Sequence, residues 1–126
     1  MLKIAIIDDD PDIVEATTML LESKGYAIVT AANVDDAINL VDTEKPDLIL
    51  LDVMLIEPDD GFYLAHKFKQ KGLKTPIILL TSVSKALGFE FGKSDKMPVD
   101  DFLEKPVSPK VLLEKVSFYL EQSKGQ

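Results

Sequence analysis

Apolar residues in this chain gather into five short runs, separated by segments with helical spacing or by turn residues. The densest is Leu48-Ile49-Leu50-Leu51, with Pro46-Asp47 before it and Asp52-Val53-Met54-Leu55 after it. Four consecutive aliphatics between a breaker and an acidic, proline-containing loop predict a central parallel strand covered on both faces, where the usual alternation is lost. Periodicity alone allows a helix here, but the brevity of the run and the breaker at Pro46 argue against one. Lys3 to Ile7, Tyr26 to Thr30, Pro76 to Thr81 and Asp101 to Glu104 are the other strand-like runs.

Between them the period changes. Asp10-Pro11 predicts a capped helix start, with Ile13, Thr17, Leu20, Leu21 and Lys24 on one side and Gly25 ending the element. Asn33 caps a second helix whose inner face is Val34, Ala37, Ile38 and Val41, and which ends before Pro46. Gly61 opens a third, with Tyr63 or Phe62, Ala65 and Phe68 inward and Lys67, Lys69, Lys71 and Lys74 marking its wet face and C-terminal end. Ser84 to Pro98 predicts a fourth helix that is short or irregular, at most a turn or two near Ser84 to Leu87, because Gly88 and Gly92 each cost a helix roughly 0.8–1 kcal/mol relative to Ala. Ser108-Pro109 starts a last helix with Leu112, Val116, Tyr119 and Leu120 inward, and residues Gln122 to Gln126 are expected to fray. Strands alternating with helices through right-handed crossovers give an α/β fold, a doubly wound, five-stranded parallel sheet with helices on both faces.

A length of 126 residues is read as one domain over 1–126. No apolar run approaches the roughly 20 residues that span a bilayer, and the N-terminus runs straight into a strand without signal-peptide organisation, so a cytoplasmic protein without membrane contact is expected. The absence of Cys removes disulfides and thiolate chemistry, and a single His excludes a His-rich metal site. The net charge is −8 and every basic residue is Lys, which argues against nucleic-acid binding and suits a cation or a protein partner.

Candidate chemistry collects where parallel strands end. Asp8 and Asp9 follow the first strand, Asp52 ends the third, Thr81 ends the fourth and Lys105 follows the fifth, so the topology brings all of them to one rim. Three carboxylates against one ammonium leave that rim two charges negative. A divalent cation with few hard oxygen ligands and several waters, Mg²⁺, fits this better than a zinc or calcium cage.

Asp8-Asp9, Asp52, Thr81 and Lys105-Pro106, in this order on these elements, resemble the receiver domain of bacterial response regulators, the CheY-like members of the flavodoxin-like fold, over essentially the whole chain. The resemblance implies a phosphoacceptor signalling domain of a two-component phosphorelay rather than an enzyme that turns over an external substrate. By that likeness Asp52 takes a phosphoryl group from a histidine kinase, a phosphotransfer protein or a small donor such as acetyl phosphate. In the family pattern, carried onto these residues, Asp9 and Asp52 are expected to ligate Mg²⁺ directly with the backbone carbonyl of Met54, and Asp8 to help through water. The same likeness implies that Lys105 pairs with the carboxylate and then the phosphoryl, that Thr81 and Phe102 form the switch toward a downstream protein target, and that the Lys105-Pro106 peptide is cis.

The loop Val53 to Gly61 departs from the family pattern by one extra residue and by Ile56 where Pro is common. Ser82 stands where Ala is commonest, and Ser84 to Pro98 lacks the usual regular helix, so a mobile, partner-recognising segment is expected there. Apolar Met54 and Val83 near the attacking water imply slow self-hydrolysis. Asp10 reads as a helix cap, Asp12 as a first-turn charge, Asp59 and Asp60 as turn residues, His66 as surface or partly buried, and Lys93 and Lys96 as solvated surface. Two other classes are weighed: a pseudo-receiver that only binds protein, against which retention of the full constellation argues, and an aspartyl-phosphate phosphatase, which needs an acid where Met54 stands.

Overall fold

The structure, a computed structural model, describes residues 2–52, 60–82, 99–105 and 107–124. Five strands, β1 (Lys3–Ile7), β2 (Ala27–Ala31), β3 (Leu48–Asp52), β4 (Ile77–Ser82) and β5 (Asp101–Lys105), form one parallel sheet in the order β2-β1-β3-β4-β5. Among the described residues four helices connect or follow them: α1 (Pro11–Glu22), α2 (Val34–Glu44), α3 (Asp60–Gln70) and α4 (Pro109–Lys124). Every residue of β3 is buried, as is β1 after Lys3, because both faces of these central strands are covered.

Alternation along the strands sorts the core into two layers. Ala5, Ile7, Ile49, Leu51, Ile77 and Leu79 meet Ala37 and Val41 of α2 and Leu64, Ala65 and Phe68 of α3. Ile4, Ile6, Leu48, Leu50, Ile78, Leu80 and Leu103 meet Leu21 of α1 and Leu112, Val116 and Leu120 of α4. Each fully buried aliphatic of this kind contributes about 1.5–3 kcal/mol relative to exposure.

The helix starts follow from their caps. Asp10 accepts amide hydrogens of Asp12 and Ile13, and Asn33 accepts that of Asp36. α2 stops at Lys45, which takes the left-handed conformation (φ 48°) and donates its N–H to Val41. At the opposite end of the sheet from the strand C-termini, Ile77 N–H donates to Asp100 Oδ2 (2.8 Å) and Asp100 N–H to the Ile77 carbonyl (2.9 Å), which closes the start of the β4–β5 pair.

Several expectations are corrected in detail. Tyr63 is half exposed, and Leu64 takes the core position beside Ala65 and Phe68, because the Leu64–Phe68 spacing of four sets the stripe that faces the sheet. In α1 only Leu21 is fully buried; Ile13, Thr17 and Leu20 are half-buried on the flank facing α4, and Lys24 lies in the exposed turn beyond the helix. Backbone helix continues to Lys124 instead of fraying from Gln122. The loop after Asp52 through Asp59, the segment Ser84 to Pro98 with its expected short helix, Val83 and the Lys105-Pro106 linkage lie outside the described residues.

Candidate functional site

The strand order reverses direction between β1 and β3, the place where a crevice opens above the carboxyl ends of the strands. Pairing of Ile7 with Leu51 brings the following residues, Asp8 and Asp52, to the same level. Asp8 is further tied to the sheet by its N–H, which donates to the Ala31 carbonyl at 3.1 Å. One oxygen from each of Asp8, Asp9 and Asp52 lies within 4.8 Å of the others. Asp8 and Asp52 are buried, 2% and 6% exposed, and Asp9 is exposed at the mouth.

Like charges this close are costly. Two unit charges about 4 Å apart interact by about 4 kcal/mol at a near-surface dielectric of about 20. The cluster therefore favours a cation. An all-carboxylate donor set of hard oxygens, partly open to water through Asp9, fits a divalent cation that keeps part of its water shell.

The structure brings three of the expected site residues together and places the others by their backbones or nearby. Asp52 pairs with Leu80 on β4, so Thr81 stands one residue beyond it, opposite Glu104; Lys105, opposite Ser82, is the last residue of β5 rather than one following it. Phe102 pairs with Leu79 and packs half-buried against the layer formed with α2 and α3. Met54, expected to offer its carbonyl, lies outside the described residues. His66 is exposed on α3, Asp10 caps α1, and Asp12 lies in the first turn of α1.

One polar linkage was not anticipated. Asp101, at the start of β5, accepts from Lys115 Nζ (2.7 Å) and from the Tyr119 hydroxyl (3.0 Å) with Oδ2, and from Phe102 N–H (2.8 Å) with Oδ1. The Tyr119 oxygen also lies 3.1 Å from the Asp100 carbonyl. Burial pushes the Asp101 carboxyl up, but these hydrogen bonds and the Lys115 charge outweigh it and hold the group below the usual range. Burial and the Asp101 carboxylate push the Tyr119 hydroxyl up to about 12. Lys115 and Tyr119 are one helical turn apart on α4, so both reach Asp101 from the same face of the helix.

Comparison with known proteins agrees with this architecture. The chain is 38% identical over 125 residues, 96% of its length, to the alkaline phosphatase synthesis transcriptional regulatory protein PhoP of Bacillus subtilis (strain 168), and covers 49% of that protein. It thus spans about half the length of this curated relative. The crystal structure of a two-component response regulator from Clostridium difficile superposes with a TM-score of 0.81 at 31% identity, covering 98% of each chain. A CheY-like response regulator receiver domain protein from Methanospirillum hungatei JF-1 superposes with a TM-score of 0.80 at 28% identity, covering 99% of this chain and 98% of its own. Residues 4–117 match the response regulator receiver domain family as a whole, so five parallel strands in this order with an aspartate cluster above the central pair have a plain reading: the chain belongs to the response regulator receiver domain family.

Proposed function

We propose that the chain is a single receiver domain over 1–126 in which Asp52 is the phosphoacceptor, working with Mg²⁺ and a partner histidine kinase or phosphotransfer protein. The observation that carries this reading is the position of Asp52: a nearly buried carboxylate at the end of the central strand, beside the strand-order switch, with Asp8 and Asp9 within 4.8 Å. Receiver domains act in signalling and do not turn over an external substrate.

Asp8, Asp9 and Asp52 would hold the cation, with the Met54 carbonyl as a further ligand. When bound, Mg²⁺ supplies charge neutralisation for the carboxylates and for the transferring phosphoryl oxygens. A carboxylate oxygen of Asp52 forms the new P–O bond. The bond from phosphorus to the donor's imidazole nitrogen, or to the acetate oxygen of acetyl phosphate, breaks, and its electron pair leaves with the donor. Lys105 supplies the ammonium that pairs with the phosphoryl, and Thr81 with Phe102 converts its arrival into a changed surface for a downstream protein. The domain works in the cytoplasm without binding nucleic acid itself or touching a membrane. The pseudo-receiver alternative is disfavoured because nothing in protein binding alone calls for three acids this close together.

The test is intact mass after incubation with acetyl phosphate. With Mg²⁺ the protein gains the mass of one phosphoryl group; without Mg²⁺, or with Asp52→Asn, it does not. Equal gain by the Asn variant overturns the assignment.

A further inference from the structure

We propose that Asp10, which lies outside the carboxylate cluster, is a positioning residue for it: its cap on α1 fixes the amide that holds Asp8. The inference rests on the reading of Asp8, Asp9 and Asp52 as a cation site and adds a residue to it. Asp10 N–H donates to Asp8 Oδ1 at 3.0 Å. The Asp10 side chain turns the other way, its Oδ1 accepting from Asp12 N–H (3.0 Å) and Ile13 N–H (3.4 Å), the otherwise unpaired donors of the first helical turn. The Asp10 carbonyl accepts from Val14 N–H at 3.0 Å. The same residue therefore grips the helix with two groups and a metal-site carboxylate with a third.

Its backbone is extended (φ −91°, ψ 107°), as the following Pro11 requires, so little freedom is left between Asp8 and the helix. Asp8 is held at its own amide by Ala31 and at its carboxylate by Asp10. Loss of the cap frays the first turn, frees the Asp10 amide, and removes one of the bonds that orient the Asp8 carboxylate. The ligand set is then less preorganised while the sheet and both core layers stay as they are. Groups that orient a ligand from behind are worth roughly one to two orders of magnitude in metal affinity.

Three variants of the full chain separate this from simpler explanations, with Mg²⁺ affinity measured by calorimetric titration and stability by urea unfolding. Asp10→Ala removes the cap and a charge. Asp10→Asn keeps a capping oxygen and removes only the charge. Asn33→Ala removes an equivalent cap, the bond to Asp36 N–H at 2.8 Å, from α2 on the other face of the sheet. The expected result is Mg²⁺ binding weaker by on the order of tenfold in Asp10→Ala, within about twofold of the unsubstituted protein in Asp10→Asn, and unchanged in Asn33→Ala, although both Ala variants lose comparable stability. Unchanged binding in Asp10→Ala overturns the proposal. So does an equal loss in Asp10→Asn, which makes the effect one of charge, or in Asn33→Ala, which makes it general loosening. An unsubstituted protein that binds no Mg²⁺ overturns the cation-site reading and this inference together; binding that Asp10→Ala leaves intact overturns this inference alone.

Discussion

Asp8 and Asp52 stand level with each other at the ends of adjacent parallel strands, because Ile7 pairs with Leu51 and each strand's next residue is a buried carboxylate. With Asp9 these groups concentrate negative charge at the strand-order switch, where a fold selected for stability alone would place apolar or neutral residues. The cluster is therefore a cost to stability in the absence of a cation, and that cost can be measured.

In the absence of divalent cations, Asp8→Asn should stabilise the protein by on the order of 1 kcal/mol, since it relieves like-charge repulsion and keeps an oxygen for the Asp10 N–H. Added Mg²⁺ should raise the melting temperature of the unsubstituted protein through binding to the folded state, and raise that of Asp9→Asn much less. Thermal scans with and without Mg²⁺ check both; a destabilised Asp8→Asn protein contradicts the repulsion argument.

The core makes a plainer demand. Leu50 is fully buried in β3 against the α1 and α4 layer, and Leu50→Ala should cost about 2–5 kcal/mol, read as a lower urea midpoint with little change in slope. A loss under about 1 kcal/mol would mean the layer repacks around the missing atoms.

Lys45 ends α2 with φ 48°, a conformation that costs a residue with a side chain about 1–2 kcal/mol and glycine almost nothing. Lys45→Gly gives back part of that gain through the greater freedom of the unfolded chain. A net stabilisation of up to about 1 kcal/mol in urea unfolding is expected, and a net loss contradicts the strain argument.

Two pH windows follow from the β5–α4 linkage. Asp101 titrates lower in the folded protein than the ordinary 3.8, so its contribution is present above that value and is lost as pH falls through the folded pKa. Tyr119 titrates near 12 against an ordinary 10.0, so its contribution is complete below pH 10.0 and is lost as pH rises toward 12. Tyr119→Phe should flatten the alkaline part of the stability profile and remove the tyrosinate absorbance step near pH 12. A step that survives the substitution assigns it to another residue.

Much of this architecture is legible in the chain because its signals are local. The unbroken Leu48 to Leu51 run marks a doubly covered strand, Asp10-Pro11 and Asn33 mark helix starts, and a carboxylate after a β-branched run marks a strand's C-terminal rim. What escaped depends on three-dimensional partners. Tyr63 and Leu64 are adjacent and both apolar, and only the direction of the sheet decides that Leu64 turns inward. Tyr119 was expected on the inner face of the last helix; it packs there only in part, because its hydroxyl reaches past the core to Asp101, a pairing across 18 residues that no local pattern encodes. The three acids were visible as residue types, but their mutual distance follows from strand order and register.

The most direct test of the central claim is the location of the phosphoryl group. After reaction with acetyl phosphate and Mg²⁺, borohydride reduces an aspartyl phosphate to homoserine, which peptide sequencing by mass spectrometry places in the chain. Homoserine at position 52 alone is the result this account predicts; homoserine at position 8 or 9, or at no position in protein that has gained a phosphoryl group, would contradict it.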